Sequence, residues 1–291
     1  MIWLIGNKGM LGTELSLMLK KRKLDFVGTD REVDITNPEA LATFLETQKT
    51  SGIPVTLIVN CAAYTAVDKA EDDIELCTKL NVEGPTNIAF AAHSCGANLL
   101  HISTDYVFNG KGERPYTEED ETDPIGVYGR TKRDGELAAI AQNPNTWVIR
   151  TSWLYGVHGN NFVYTMLKLM NERSNISVVD DQRGSPTWAK DLCEAICDFA
   201  ENKPPFGFYH FSNMGNITWF DFAKEILALG TESALIDTTK PCKVYPCTSA
   251  EFPAKVTRPA YSVLDKTKIQ AVLNKPIPDW KISLQKFLYE C

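Results

Sequence analysis

Tyr128 and Lys132 stand four residues apart in the run Tyr128-Gly129-Arg130-Thr131-Lys132, about twenty-five residues after Ser103-Thr104-Asp105-Tyr106-Val107-Phe108. A phenol, an ammonium and a hydroxyl so arranged are groups that can reduce a ketone, protonating its oxygen while a hydride reaches its carbon. The pattern predicts a helix over residues 128–141, which puts Tyr128 and Lys132 on one face. A tyrosine with an ordinary pKa of about 10 is a reluctant acid at neutral pH, and a nearby ammonium is expected to lower that value. Lys132 is expected to supply the charge. Tyr-x-x-x-Lys alone occurs in many helices, so its neighbours decide its meaning.

The first neighbour lies at the amino terminus. Ile2-Trp3-Leu4-Ile5 is a short apolar run, followed by Gly6-Asn7-Lys8-Gly9-Met10-Leu11-Gly12 and a helical pattern that carries Leu15, Met18 and Leu19 inward. This reads as strand, glycine loop and helix. Gly6, Gly9 and Gly12 let the backbone approach a pyrophosphate, and the amides and dipole of the following helix favour the anion. The spacing is Gly-x-x-Gly-x-x-Gly rather than the common Gly-x-Gly-x-x-Gly. A second apolar run ends at Asp30, eighteen residues beyond Gly12, where an acid is expected to bind an adenosine ribose. Arg31 follows and can hold a ribose phosphate. The expected cofactor is NADPH, with NADH also accepted.

Further strands are expected at residues 55–59, 98–103 and 146–150, separated by helical stretches. That alternation implies an α/β fold, a Rossmann-type doubly wound parallel sheet with the chemistry at the strand carboxyl ends. Residues 1–156 are expected to form the dinucleotide-binding domain. Residues 157–291 are expected to be mainly a smaller substrate-binding lobe, with a segment at about 176–212 returning to the sheet. Asn60-Cys61-Ala62-Ala63-Tyr64 leaves one strand end, and its small residues allow the chain to run beside a cofactor. Ser103 and Thr104 close the next strand, aiming their hydroxyls at the crevice that holds Tyr128. Asn81 is expected to bond to backbone inside the fold. The Ser185-Pro186-Thr187 stretch reads as a helix start, residues 237–260 as an extended excursion, and the stretch from Trp280 to Leu288 as a helix.

The chain has 291 residues, 44% of them hydrophobic, enough for a full core. Its formal net charge of −7, without a basic block, argues against nucleic acid as a partner. No apolar stretch approaches a membrane span or a signal peptide, so a cytoplasmic protein is expected. Eight cysteines and four histidines show no zinc-ligand spacing, so reduced thiols and no metal are expected.

Over nearly its whole length the chain resembles the extended short-chain dehydrogenase/reductase family. The segments that carry the likeness are NCAAYTAVDKAE from Asn60, STDYVFNG from Ser103, YGRTK from Tyr128, RTSWLYG from Arg150, DQRGSPT from Asp181 and RPAYSVLD from Arg258. The resemblance implies NAD(P)H-dependent reduction of the 4-keto group of dTDP-6-deoxy-L-lyxo-4-hexulose to dTDP-L-rhamnose, a polysaccharide precursor. It implies Tyr128 as proton donor, Thr104 as the group that polarises the carbonyl and Lys132 as ligand of the nicotinamide ribose. Met10, Leu11 and Gly12 are implied at the pyrophosphate, Asp30 at the adenosine ribose, and Ala62, Ala63 and Tyr64 along the middle of the cofactor. Asp105 and Trp153 are implied as sugar-nucleotide contacts.

Arg258 is our own assignment to the substrate pyrophosphate, because an acidic chain needs a local cation there; an exposed ion pair is the alternative. Some family members dimerise through magnesium held by glutamates. Glu14 corresponds to one such position, but Lys190 stands where an acid is expected, which argues against a metal bridge and leaves monomer or homodimer open. Two rival readings remain: a non-catalytic, cofactor-holding regulatory subunit, and an epimerase or dehydratase of the same extended family.

Overall fold

Ile2–Ile5 (β1) is buried along its whole length because its alternating side chains enter two different cores. Ile2 and Leu4 join Leu15, Leu192, Ile196 and Phe199 on one side of the sheet. Trp3 and Ile5 join Leu41, Ile58 and Ile88 on the other. A strand covered on both faces reads as one continuous apolar run, which is why this segment shows no polar alternation.

The computed structural model describes residues 1–252 and 254–291. Five further strands pair with β1 in one parallel sheet: Phe26–Thr29 (β2), Leu57–Asn60 (β3), Asn98–Thr104 (β4), Thr146–Thr151 (β5) and Gly207–His210. From one edge to the other the order is Gly207–His210, β5, β4, β3, β1, β2. All five pairings are parallel. The order reverses at β1, between β2 and β3, and a crevice opens at the carboxyl ends there. The expected strands are present with ends moved by one or two residues; residues 55–56 precede β3, and β4 runs on to Thr104.

Helices Met10–Lys21, Ala189–Asn202 and Thr267–Leu273 cover one face, and helices Pro38–Thr50, Gly84–Cys95 and Val127–Gln142 cover the other. The sheet is therefore doubly wound. Beyond the carboxyl ends lies a second lobe, built on helices Phe162–Glu172, Trp219–Glu232 and Trp280–Leu288 around Met166, Phe222, Ile226 and Phe287. Asn161 starts the first of these by accepting the Tyr164 amide at 3.1 Å. Thr218 and Asp221 form a capping box at the second. The stretch read as an extended excursion contains a strand, Lys243–Cys247, that pairs in parallel with Asn175–Val179. Its exposed side chains and internal Pro246 hide it from a sequence reading. Ser185-Pro186-Thr187 precedes its helix, but Thr187–Trp188 first pairs with Leu154–Tyr155.

Candidate active site

The glycine loop closes because no side chain fits inside it. A Cβ on Gly12 would stand 2.0 Å from the Gly6 carbonyl oxygen, and one on Gly6, at φ +80°, would stand 2.8 Å from the Ala62 nitrogen. Gly9 differs, since its nearest neighbour would be the Gly6 oxygen at 3.4 Å and the space beside it is open groove. Gly9 is also the N-cap of Met10–Lys21, and no side chain caps that helix. Its first-turn amides therefore face the groove as ready anion donors. The Gly6 and Asn7 amides donate to the Thr29 carbonyl at 2.8 and 3.1 Å, which draws the end of β2 alongside the loop.

A cavity of about 590 Å³ runs from Gly6 and Gly9 past Asp30 and Arg31 to Ala62 and Ala63. A second, of about 420 Å³, holds Met10, Gly12, Thr104, Tyr128, Lys132 and Trp153. Gly9, Cys61 and Ala63 line both, so the two form one cleft. The dinucleotide loop and the Tyr-Lys pair thus meet in a single space. Tyr64 belongs to neither wall. Its backbone is clamped by Asn81, which accepts the Tyr64 amide at 2.8 Å and donates to its carbonyl at 3.1 Å. Its side chain packs with Tyr128 on the cluster of Ala70, Cys77 and Val127.

Helix Val127–Gln142 spans one residue more at each end than expected and presents Tyr128 and Lys132 to the cleft. Lys132 is fully buried, donates to the Ile102 carbonyl at 2.7 Å and lies 3.4 Å from Nε2 of His101. Burial pushes its pKa down to about 8, against the opposing charge of Glu136. The expected lowering of the Tyr128 pKa by Lys132 is overturned. Burial pushes the phenol up instead, and only the hydrogen bond with Thr104 draws it down. Removing a phenolate from water outweighs any help from an ammonium committed to the Ile102 carbonyl.

Thr104 donates to Oδ1 of Asp105 at 3.1 Å and accepts the Tyr106 amide at 3.2 Å. Asp105 is buried, its Oδ2 has no partner, and burial pushes its carboxyl up to about 6 against hydrogen bonds from Ser262 and Thr104. Ser103 Oγ is a second buried atom without a partner. Such orphaned groups mark a place for a polar ligand. Trp153 holds a left-handed backbone at φ 46° and stacks on Trp219 with centroids 3.6 Å apart. One face of the indole is therefore occupied by protein.

Arg258 lies in a separate cavity of about 390 Å³ in the lobe, with Phe162, Gln182 and Trp219. One guanidinium nitrogen is 3.3 Å from Asp68, while its buried Nε has no partner. The contact with Asp68 is the ion pair that the sequence offered as the alternative for Arg258. Glu14 is buried with His158 Nε2 at 3.7 Å, and Lys190 is paired with Glu290. Among the described residues no cluster of metal-ligating side chains occurs. The sequence reading passed over Lys8, which lines the cofactor side of the cleft and pairs with Glu32 at 3.1 Å; a cation inside a glycine loop was the available signal. It also missed His101, whose partners are far away in the chain.

A family model described as "RmlD substrate binding domain" matches residues 1–291. The dTDP-4-dehydrorhamnose reductase of Streptomyces griseus is 39% identical over 289 residues, covering 97% of this chain and 91% of that one. Among solved structures, a dTDP-4-dehydrorhamnose reductase from Clostridium acetobutylicum is 40% identical with a TM-score of 0.91, over 99% of this chain and 98% of that one. The enzyme of the same name from Bacillus anthracis, in complex with NADP, is 36% identical with a TM-score of 0.91, over 100% and 99%. This chain belongs to the RmlD substrate binding domain family.

Proposed function

We propose that the chain uses NAD(P)H to reduce the 4-keto group of dTDP-4-dehydro-6-deoxy-L-mannose, giving dTDP-L-rhamnose for surface polysaccharide. The observation that carries this reading is the single cleft linking the glycine loop and Asp30 to Thr104, Tyr128 and Lys132. When bound, the reduced nicotinamide supplies the hydride to the sugar C4. Tyr128 gives its phenolic proton to the carbonyl oxygen as that bond is reduced. The phenol holds its proton at neutral pH, and the negative charge that develops on the carbonyl oxygen as the bond is reduced draws that proton across. Thr104, whose hydroxyl donates to Oδ1 of Asp105 before the sugar enters, turns that donor to the carbonyl oxygen and shares the developing charge.

The residues fit the cofactor on structural grounds. The uncapped amides after Gly9 suit the pyrophosphate, and Asp30 suits the adenosine ribose. Lys8 and Arg31 line the same cavity as Asp30, which supports NADPH through the two cations and NADH through the carboxylate. Residues 1–156 serve the cofactor. The rest mainly serves the sugar nucleotide, apart from helix Ala189–Asn202, strand Gly207–His210 and helix Thr267–Leu273, which return to the sheet. Arg258 takes the substrate pyrophosphate through its guanidinium, which lines the lobe cavity.

No helix of the described residues is long and apolar enough to cross a membrane. Cytoplasmic location and a monomer or homodimer complete the reading. The test mixes protein, NADPH or NADH and the 4-keto sugar nucleotide and follows loss of the reduced cofactor. Stoichiometric oxidation, lowered about a hundred- to ten-thousandfold in Tyr128→Phe, is expected. Tight cofactor binding without turnover would instead identify a regulatory subunit, and sugar inversion without net cofactor loss an epimerase.

A further inference from the structure

His101 lies behind Lys132, on β4 and without solvent exposure. Its Nδ1 is 3.0 Å from Nδ2 of Asn60, and its Nε2 is 3.4 Å from Lys132 Nζ. The other contact of Asn60 fixes which atom faces the ring, because Oδ1 accepts the Ala62 amide at 3.0 Å. An amide nitrogen only donates, so Nδ1 must accept and carries no proton. Burial and Lys132 hold His101 neutral. A neutral imidazole with a bare Nδ1 has its proton on Nε2, directed at Lys132. An ammonium has no lone pair to receive it, whereas a neutral amine has one.

His210 provides the contrast within the same sheet. Its Nε2 is likewise 3.4 Å from a buried cation, Arg150. There, however, Nδ1 faces the Tyr116 carbonyl at 3.0 Å and must donate, which leaves Nε2 to accept from the guanidinium. Two buried histidines beside two buried cations therefore have opposite polarity. The one beside Arg150 welcomes the charge, and the one beside Lys132 opposes it.

We propose that His101, oriented by Asn60, is a positioning residue that disfavours the ammonium form of Lys132 and so keeps its proton exchangeable during turnover. This rests on the reading of Lys132 and Tyr128 as catalytic residues. Once Tyr128 has given its proton to the sugar oxygen, its phenolate must regain one. Tyr128 and Lys132 line one cavity, so a water between them gives a proton to the phenolate while an N–H bond of Lys132 breaks to restore that water, and the neutral amine then takes a proton from solvent. Glu136 on the same helix favours the ammonium, Cys61 after β3 and Cys77 on helix Ile74–Thr78 are thiols that burial keeps uncharged, and burial of Lys132 and the His101 proton oppose the ammonium.

The test is ¹⁵N magnetic resonance of histidine-labelled full-length protein, with the His101 signals assigned by their loss in His101→Gln. The expected result is a neutral His101 protonated at Nε2 beside a His210 protonated at Nδ1. A His101 protonated at Nδ1 overturns the proposal. Asn60→Asp removes the donor to Nδ1, so the ring is expected to reverse its tautomer. The titration of ¹³C-labelled Lys132 is then expected to move up by a pH unit or more, and the alkaline limb of kcat/KM to move with it. A reversed ring with an unmoved Lys132 titration also overturns the proposal. A moved Lys132 titration with an unmoved kcat/KM limb instead overturns the catalytic reading of Lys132. If Asn60→Asp does not fold, the tautomer of the unsubstituted protein decides alone.

Discussion

Gly135→Ala tests whether the crossing of two helices sets the position of the proton donor. Gly135 lies on helix Val127–Gln142, two turns beyond Tyr128, where it meets the π-helical segment Lys79–Glu83. A methyl there would stand 1.9 Å from the carbonyl oxygen of Asn81 and 3.1 Å from its carbonyl carbon. These are backbone atoms, so no rotamer relieves the contact. A tolerable carbon–oxygen distance of about 3.3 Å requires the helices to part by roughly 1.4 Å. Overpacking of this kind costs about 1–3 kcal/mol. The helical preference of alanine over glycine returns only about 0.5–1 kcal/mol, so a net loss of about 1–2 kcal/mol is expected in urea unfolding. The larger effect is on rate. Asn81 also donates to Thr131 at 3.2 Å, one residue before Lys132, and clamps Tyr64, one residue after Ala63, so the displacement acts on the neighbours of both lining residues. A shift of about 1 Å at reacting groups can cost about a hundredfold, and kcat is expected to fall by that order while the cofactor Kd changes little. A substituted protein with full kcat and an unchanged urea midpoint would refute the claim that this contact places Tyr128.

Arg258→Ala is expected to raise KM for the sugar nucleotide at least about tenfold, since a hydrogen bond to a charged group is worth about 1.5–3 kcal/mol. Initial rates check this, and an unchanged KM would leave Arg258 only its contact with Asp68. Arg31→Ala is expected to shift the kcat/KM ratio of NADPH to NADH about tenfold toward NADH, by the same arithmetic; an unmoved ratio removes Arg31 from cofactor choice. His210 is held neutral, with burial first and Arg150 second pushing its pKa down to about 3. Between that value and an unfolded pKa of about 6.5, only the unfolded chain takes the proton, so stability falls as pH falls, by about 1.4 kcal/mol per unit. Asp105, raised to about 6 by burial, acts oppositely, because the folded chain takes its proton first. Urea unfolding of His210→Gln should therefore show a slope of stability against pH that is lower by about one proton between about pH 4 and 6, leaving the opposite slope of Asp105 uncancelled, and an unchanged slope would mean that His210 is charged in the fold.

The sheet was legible because β1 is apolar on both faces and is followed by glycines whose spacing has few other uses. Tyr128, Lys132 and Thr104 were legible for a related reason, since strand ends and a helix face are local properties. The acidity of Tyr128 was not, because it depends on how deeply the phenol is withdrawn from water, which no spacing encodes. His101 sits in the apolar run Leu99-Leu100-His101-Ile102, and its meaning comes from Asn60 and Lys132, which lie 41 and 31 residues away. Strand Lys243–Cys247 escaped notice because only its partner and not its own pattern makes it a strand. The grip of Asn81 on Thr131 depends on the π-helical turn at Lys79–Glu83, and no sequence rule predicts that turn.

The chain does not finish one lobe before it starts the other. Residues from Tyr155 to Trp188 build the upper core, Ala189 to Phe211 return to the lower one, Ile217 to Cys242 go back up, Ile269 and Ile277 come down again, and Trp280 to Leu288 end above. Neither half is a contiguous piece of polypeptide. Cleavage near residue 156 would thus release no fragment able to fold by itself, and heat should melt both halves in one transition. Five passages of the chain between the two cores join the halves, so no single linker serves as the one hinge between them.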